Sequence, residues 1–161
     1  MKKNILFLLF SFVFTQSNDL FISEYAETQS SSDRYLEVFN NTGLTVNLYE
    51  YSIVITASNG SEDTLILDNN DGDSNNLNGQ LEPDNVLIIL RSDTTSDLLN
   101  EEYLDYPNND VQFIEWSELS SMSGDDAIEL FHNTELIDVI GTPGIDPGTG
   151  WDVGDILEGT K

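Results

Sequence analysis

Short apolar runs separated by turn-forming residues dominate the chain from about residue 19 onward. Most of the runs are four to seven residues long and rich in Ile, Val, Leu, Phe and Tyr, as β-strands are. Apolar residues almost nowhere recur at helical spacing. The runs are Leu20–Tyr25, Tyr35–Phe39, Val46–Tyr51 continuing into Ser52–Ala57, Thr64–Leu67, Asn85–Leu90, Val111–Ile114, Ala127–Phe131 and Leu136–Ile140. This pattern predicts an all-β fold, an antiparallel sandwich or barrel.

Asn and Gly residues, which tolerate positive φ, lie between many of these runs. The clearest predicted hairpin joins Ala127–Phe131 to Leu136–Ile140 through a tight turn at Asn133. One segment departs from the strand pattern: Thr95–Leu104 has Ser and Asp at its start and apolar residues at helical spacing. It predicts one short helix packed over an end of the sandwich. Since no linker or internal repeat interrupts the chain, residues 19–161 are predicted to form one domain.

The first 17 residues have the features of a secretory signal peptide. Lys2 and Lys3 precede the ten-residue apolar run Ile5–Phe14, and small residues allow cleavage after Ser17. A run of ten residues is too short for a membrane span, which needs about 20. A buried N-terminal strand or helix is the alternative interpretation. No later segment reaches spanning length, so we expect an exported protein, secreted or at the cell surface.

The net charge and residue composition of the chain limit the ligands and reactions that it can support. Thirty acidic residues face five Lys and Arg, giving a net charge of −25, and removal of residues 1–17 takes away two lysines and makes it −27. Such a charge repels phosphate backbones and argues against direct nucleic acid binding. There is no cysteine and one histidine, which excludes thiolate chemistry and multi-histidine metal centres. Any catalysis would have to depend on carboxylates.

Glu24 and Glu37 occupy matching places in two early strands. A carboxylate pair can serve as acid and base in glycoside hydrolysis. The alternative, which we favour, is that each accepts hydrogen bonds near a strand end and fixes a loop, because acidic pairs are common in a chain with 30 acids.

An oxygen-rich run, Asp68–Asn76, is the segment most suggestive of a metal. Calcium takes six to eight oxygen ligands, and the ligands here would be Asp68, Asn70, Asp71 and Asp73. The register does not fit an EF-hand loop, since its first position would fall on Leu67 and its last on Asn78. A solvated loop is the alternative and the one we favour, so the fold requires no cofactor and calcium stays a hypothesis.

Three other features have plain structural interpretations. Ser123–Asp126 predicts a turn shaped by aspartate side chains. Trp116 and Trp151 are expected to fill the ends of the sandwich, with the indole N–H bonded to a carbonyl. His132, beside the turn of the best hairpin, is expected to be exposed and without a role.

Six segments in order resemble the lamin tail domain family, in its secreted bacterial branch. They are Phe21–Tyr25, Tyr35–Asn40, Val46–Leu48, Leu81–Val86, Ser123–Leu130, and Ile137–Gly141 with Asp146–Trp151. The resemblance implies an immunoglobulin-like β-sandwich without catalytic activity. In the family the Gly-Trp segment usually leads into a further strand, whereas this chain stops at Lys161. Either the sequence is a fragment of a longer protein, which we expect, or the sandwich lacks its last strand, which would leave an unpaired sheet edge.

Two functions from different classes follow. The first is a non-catalytic exported module for adhesion, protein binding or scaffolding, with a protein or cell-surface partner. The second is the N-terminal accessory domain of a longer secreted hydrolase, a nuclease or phosphatase, whose catalytic part is absent from this chain. The sequence does not indicate an oligomeric state.

Overall fold

The computed structural model describes residues 19–67, 79–104, 112–148 and 150–151. Within them the chain forms ten strands and one α-helix. The strands are β1 Leu20–Ala26, β2 Tyr35–Asn40, β3 Val46–Asn47, β4 Tyr51–Thr56, β5 Glu62–Ile66, β6 Gln80–Leu81, β7 Val86–Leu90, β8 Gln112–Glu115, β9 Ala127–His132 and β10 Glu135–Ile140. The helix is α1 Asp97–Leu104, and short 3₁₀ turns cover Ser31–Asp33, Leu48–Glu50 and Ser117–Ser121.

Two four-stranded sheets make up the sandwich. The first sheet has the order β1-β2-β7-β8 and the second sheet has the order β10-β9-β4-β5, with β3 and β6 pairing separately. Side chains from the inner faces of both sheets form one hydrophobic core, which includes Leu36, Val38, Ile53, Ile55, Leu87, Ile89, Ile128 and Leu130. The prediction of an all-β, immunoglobulin-like sandwich is confirmed.

The alternation of side chains between the two faces of a strand explains which residues enter the core and which lie at the surface. Strand β2 alternates half-buried and buried residues along its whole length, the two-residue period of a strand with one face on a core. Strand β7 is buried at four consecutive residues from Leu87 to Leu90. Ile88 and Leu90 belong to a second, smaller cluster with Phe113 on the outer side of the first sheet.

The pair β7 and β8 is parallel, whereas the other strand pairs described here are antiparallel. Parallel neighbours need a crossover connection, and the segment that holds α1 supplies it. Ser96 begins this helix, since its Oγ accepts a bond from the Leu99 amide at 3.4 Å. The helix was predicted over an end of the sandwich, but Leu98 and Leu99 instead line a groove with Ile88 of the first sheet.

The predicted hairpin is confirmed. Strands β9 and β10 pair antiparallel, with a register shift between Leu136 and Asp138. Asn133 in the turn has a φ of 55°, a conformation that asparagine tolerates better than most residues. The predicted continuous run from Val46 to Ala57 is wrong in one respect, because the 3₁₀ turn at Leu48–Glu50 divides it.

Candidate functional site

Glu24 and Glu37, the carboxylate pair considered from the sequence, come together in the structure. They lie directly opposite each other on β1 and β2, so both side chains are on the same face of the first sheet. The Tyr35 hydroxyl donates to Glu24 Oε1 at 2.7 Å. A bulge in β1 places Ser23 where its hydroxyl donates to Glu37 Oε1 at 2.6 Å. Each carboxylate therefore accepts a hydrogen bond from a strand neighbour.

The two carboxylates line a groove of about 210 Å³ between the first sheet and α1. Ile88 and Leu99, which also line the groove, are 3 % and 6 % exposed, whereas Leu98 is 74 % exposed. The wall combines two acids with apolar side chains. Among the described residues that line it, none is a histidine, lysine or cysteine that could act as a nucleophile or base beside them.

The predicted turn at Ser123–Asp126 is confirmed, and Asp126 fixes it. The Asp126 side chain accepts bonds from the Ser123 amide at 2.8 Å and the Ser123 hydroxyl at 3.0 Å, and from the Ser58 amide at 3.3 Å. The Trp151 indole donates to the Asp126 carbonyl at 3.1 Å, as was expected of a tryptophan at this end. These contacts stabilise the entry to β9 and leave Asp126 only 5 % exposed.

His132 is not a residue without a role, so that prediction is wrong. Its Nδ1 lies 3.1 Å from Asp19 Oδ2 and its Nε2 lies 3.4 Å from Glu50 Oε2. Its ring stacks on Tyr51 at 4.4 Å, and the Tyr51 hydroxyl donates to Asp19 Oδ1 at 2.8 Å. The histidine therefore connects the start of β1 to the second sheet.

The electrostatics of this group follow from the contacts. Partial burial lowers the pKa of His132, but the hydrogen bonds and charges of Asp19 and Glu50 outweigh burial and leave the pKa above its usual value. Burial and the bond to Asp19 raise the pKa of the Tyr51 hydroxyl, which keeps it a donor at neutral pH. The protonated imidazole is thus the form that stabilises the fold.

Asp33 has a similar structural role that the sequence did not reveal. Its carboxylate accepts bonds from the backbone amides of Thr95 at 2.7 Å and Ser96 at 3.1 Å, and from the hydroxyls of Thr94 and Thr95. Desolvation raises its pKa, but the hydrogen bonds from these donors together outweigh desolvation, and the pKa lies below its usual value. Asp33 thereby holds the segment that leads into α1.

Comparison with family models decides the classification of this sandwich. The lamin tail domain model matches residues 14–144, a range that contains all ten strands. The chain belongs to the lamin tail domain family. The family has an immunoglobulin-like fold, in agreement with the two sheets described above. A comparison with curated proteins finds no significant match.

The remaining predicted site of this lamin tail domain cannot be placed. The calcium hypothesis rests on Asp68, Asn70, Asp71 and Asp73, which lie outside the described residues, and it stays a prediction. In the parts of the chain that the structure describes, no group of three or more His, Asp or Glu side chains could hold a metal ion. Within the same ranges, no helix is long and apolar enough to cross a membrane.

The two arginines of this lamin tail domain form hydrogen bonds that hold its loops in place. Arg34 donates to the backbone carbonyls of Ser120, at 2.8 Å, and of Met122. Arg91 contacts Asp93 through two nitrogens, at 2.7 and 2.8 Å, and donates to the Ser117 carbonyl at 3.0 Å. Both guanidinium groups therefore hold backbone segments near the 3₁₀ turn at Ser117–Ser121.

Proposed function

We propose that this lamin tail domain is an exported, non-catalytic module that acts by adhesion, protein binding or scaffolding. The observation that carries the proposal is the environment of Glu24 and Glu37. They are the strongest catalytic candidates in the sequence, yet each accepts a hydrogen bond from a neighbouring strand residue. A catalytic pair also needs a cleft that excludes water around the substrate, whereas this groove is bordered by the exposed Leu98.

Other polar side chains support the same conclusion. Asp126, Asp33 and His132 each have partners that fix a turn, a loop or a strand. The two arginines are engaged with backbone carbonyls, which supports the view that phosphate backbones are not bound directly. An immunoglobulin-like sandwich whose polar side chains bond to its own loops is suited to presenting a surface to a binding partner.

Export is supported by the signal-like segment at residues 1–17. When the full chain is expressed in a secreting host, we expect the exported form to begin at Asn18, as mass spectrometry of the intact protein would show. A protein that stays inside the cell with Met1 retained would contradict export.

The absence of catalysis is tested with purified full-length chain on panels of nucleotide, phosphate ester, carboxyl ester and glycoside substrates. We expect no turnover above buffer on any panel. A turnover that scales with protein concentration and follows the protein through two independent purifications would overturn the proposal.

A further inference from the structure

The outer face of the second sheet has a composition unlike that of the rest of this acidic chain. In register across the sheet, Leu136, Phe131, Ser52 and Ile66 form one row. The next row of side chains on the same face, further along the strands, consists of Val139, Glu129, Val54 and Thr64. Five of these eight side chains are apolar, and the first row runs from one edge of the sheet to the other. We call these two rows the outer apolar face.

Three of these apolar side chains are open to solvent, and Phe131 and Val54 are half-buried. Ile66 is 52 %, Leu136 45 % and Val139 38 % exposed, whereas Leu65 and Leu67 beside Ile66 on the inner face are buried in the core. The largest contiguous apolar patch on a typical monomer covers about 300–600 Å² and is often functional. With strands about 4.8 Å apart and about 3.4 Å per residue, the two rows and their borders, polar residues included, cover roughly 300 Å².

Among the residues that the structure describes, the charged side chains on this face are acidic. Glu129 stands between Val139 and Val54, and its carboxylate accepts a bond from the Thr56 hydroxyl at 3.0 Å. Among the described residues it forms no salt bridge. Glu62 lies beyond Thr64 on the same side of β5. A carboxylate amid apolar residues is matched by a partner cation, because a desolvated charge left without a counter-charge is costly.

A second copy of the chain does not fit this face. Two copies would bring Glu129 near another Glu129 and add repulsion between molecules that each carry a net charge of −25. A different protein with opposite charge fits this face, since charge attraction adds to a small apolar contact.

We propose that the outer apolar face is the docking surface for a protein partner that presents apolar strand residues bordered by Lys or Arg. This proposal rests on the function proposed above and locates the surface that performs it. The apolar row supplies the contact area, and Glu129 and Glu62 pair with the basic residues of the partner.

The test uses the full-length chain and a synthetic probe, a soluble β-hairpin peptide with Val and Leu on one face and Lys at its borders. Amide NMR shifts map where the peptide binds. We expect shifts on β4, β5, β9 and β10. The double variant Ile66→Thr, Leu136→Thr should weaken binding about tenfold or more, because it truncates the exposed apolar side chains at both ends of the first row, while threonine preserves strand propensity.

Leu44→Thr is the matched control, because Leu44 is 72 % exposed and lies outside the face; it should leave peptide affinity unchanged. Glu129→Gln provides a variant that keeps the Thr56 bond, and it should weaken the Lys hairpin severalfold and improve binding of a matched Glu hairpin. These variants remain informative even if the double variant fails to fold.

Three outcomes would overturn the proposal. One is a peptide footprint elsewhere on the molecule, or no binding at all. Another is equal binding of a hairpin with Ser in place of Val and Leu, which would indicate general attraction to an acidic surface. The third is a dimer in sedimentation that the double variant dissolves. None of these produces turnover on the substrate panels, so this proposal and the non-catalytic function fail separately.

Discussion

Asn40 is the polar residue for which the structure supports the sharpest prediction. It ends β2, is fully buried, and its side-chain nitrogen donates to the carbonyls of Leu44 at 2.9 Å, Leu81 at 2.8 Å and Glu82 at 3.0 Å. Its Oδ1 accepts bonds from the amide and hydroxyl of Thr42. One carboxamide therefore joins the turn after β2 to the segment that contains β6.

Asn40→Ala removes all of these bonds without relieving any burial. The Leu81 carbonyl is buried at this contact and would be left without its donor, which costs about 1–3 kcal/mol. The carbonyls of Leu44 and Glu82 are partly buried and can recruit water, so each loses about 0.5–1.5 kcal/mol. Together these losses predict a destabilisation of about 2–6 kcal/mol.

Urea denaturation followed by circular dichroism measures the effect. With a slope of about 2 kcal/mol per molar urea for a domain of this size, the midpoint should fall by about 1–3 M. Asn59→Ala is the matched control, because Asn59 is exposed and its Oδ1 accepts one bond, from the Ser61 amide two residues away. It should change stability by about 0.5 kcal/mol or less. A midpoint for Asn40→Ala no lower than that of the control would refute the reasoning.

Three further changes test other contacts. The stability difference between wild type and His132→Gln should be greatest below about pH 6.5, the pKa of an unfolded histidine, and shrink as pH rises through the raised folded pKa; urea midpoints at pH 5.5 and 8.5 check this, and a constant difference would contradict it. Asp33→Ala should cost about 1 kcal/mol, as loss of a helix cap does, and speed hydrogen exchange at the amides it holds; unchanged exchange would count against it. Gly141→Ala should displace the Trp151 ring, which would lie 2.5 Å from the new Cβ at a φ of +80°, and shift tryptophan fluorescence to the red; an unaltered spectrum would be the contrary result.

Local signals in the sequence were sufficient for much of the fold. The β9–β10 hairpin was predicted because alternation and a turn former occur within 14 residues, Ala127 to Ile140. The helix was predicted because Ser96 and the following apolar spacing form a local start signal. The two-residue strands β3 and β6 were not predicted as separate strands, because their pairing joins residues more than 30 positions apart.

The candidate site was predictable only where its contacts are local. Asp126 bonds to Ser123, three residues away, and the turn was predicted correctly. His132 lies 113 residues from Asp19, and Asp33 lies 62 residues from Thr95. The local sequence pattern therefore indicates neither contact. The outer apolar face likewise depends on strand register, which places Leu136 and Ile66 in one row although 70 positions separate them.

We propose that the acidic side chains described above stabilise the fold of this lamin tail domain and perform no catalysis. Glu24 and Glu37 test it most directly, because like charges opposite each other across a strand pair are unfavourable. Glutamine at both positions removes that repulsion and still accepts the bonds from Tyr35 and Ser23.

The decisive measurement is the thermal midpoint of Glu24→Gln, Glu37→Gln together with its turnover on the substrate panels, beside wild type from the same preparation. The account predicts a midpoint equal to or a few degrees above that of wild type, for a gain of about 0.2–1 kcal/mol, and no turnover in either protein. Turnover in wild type that the double variant loses while remaining folded would contradict the account.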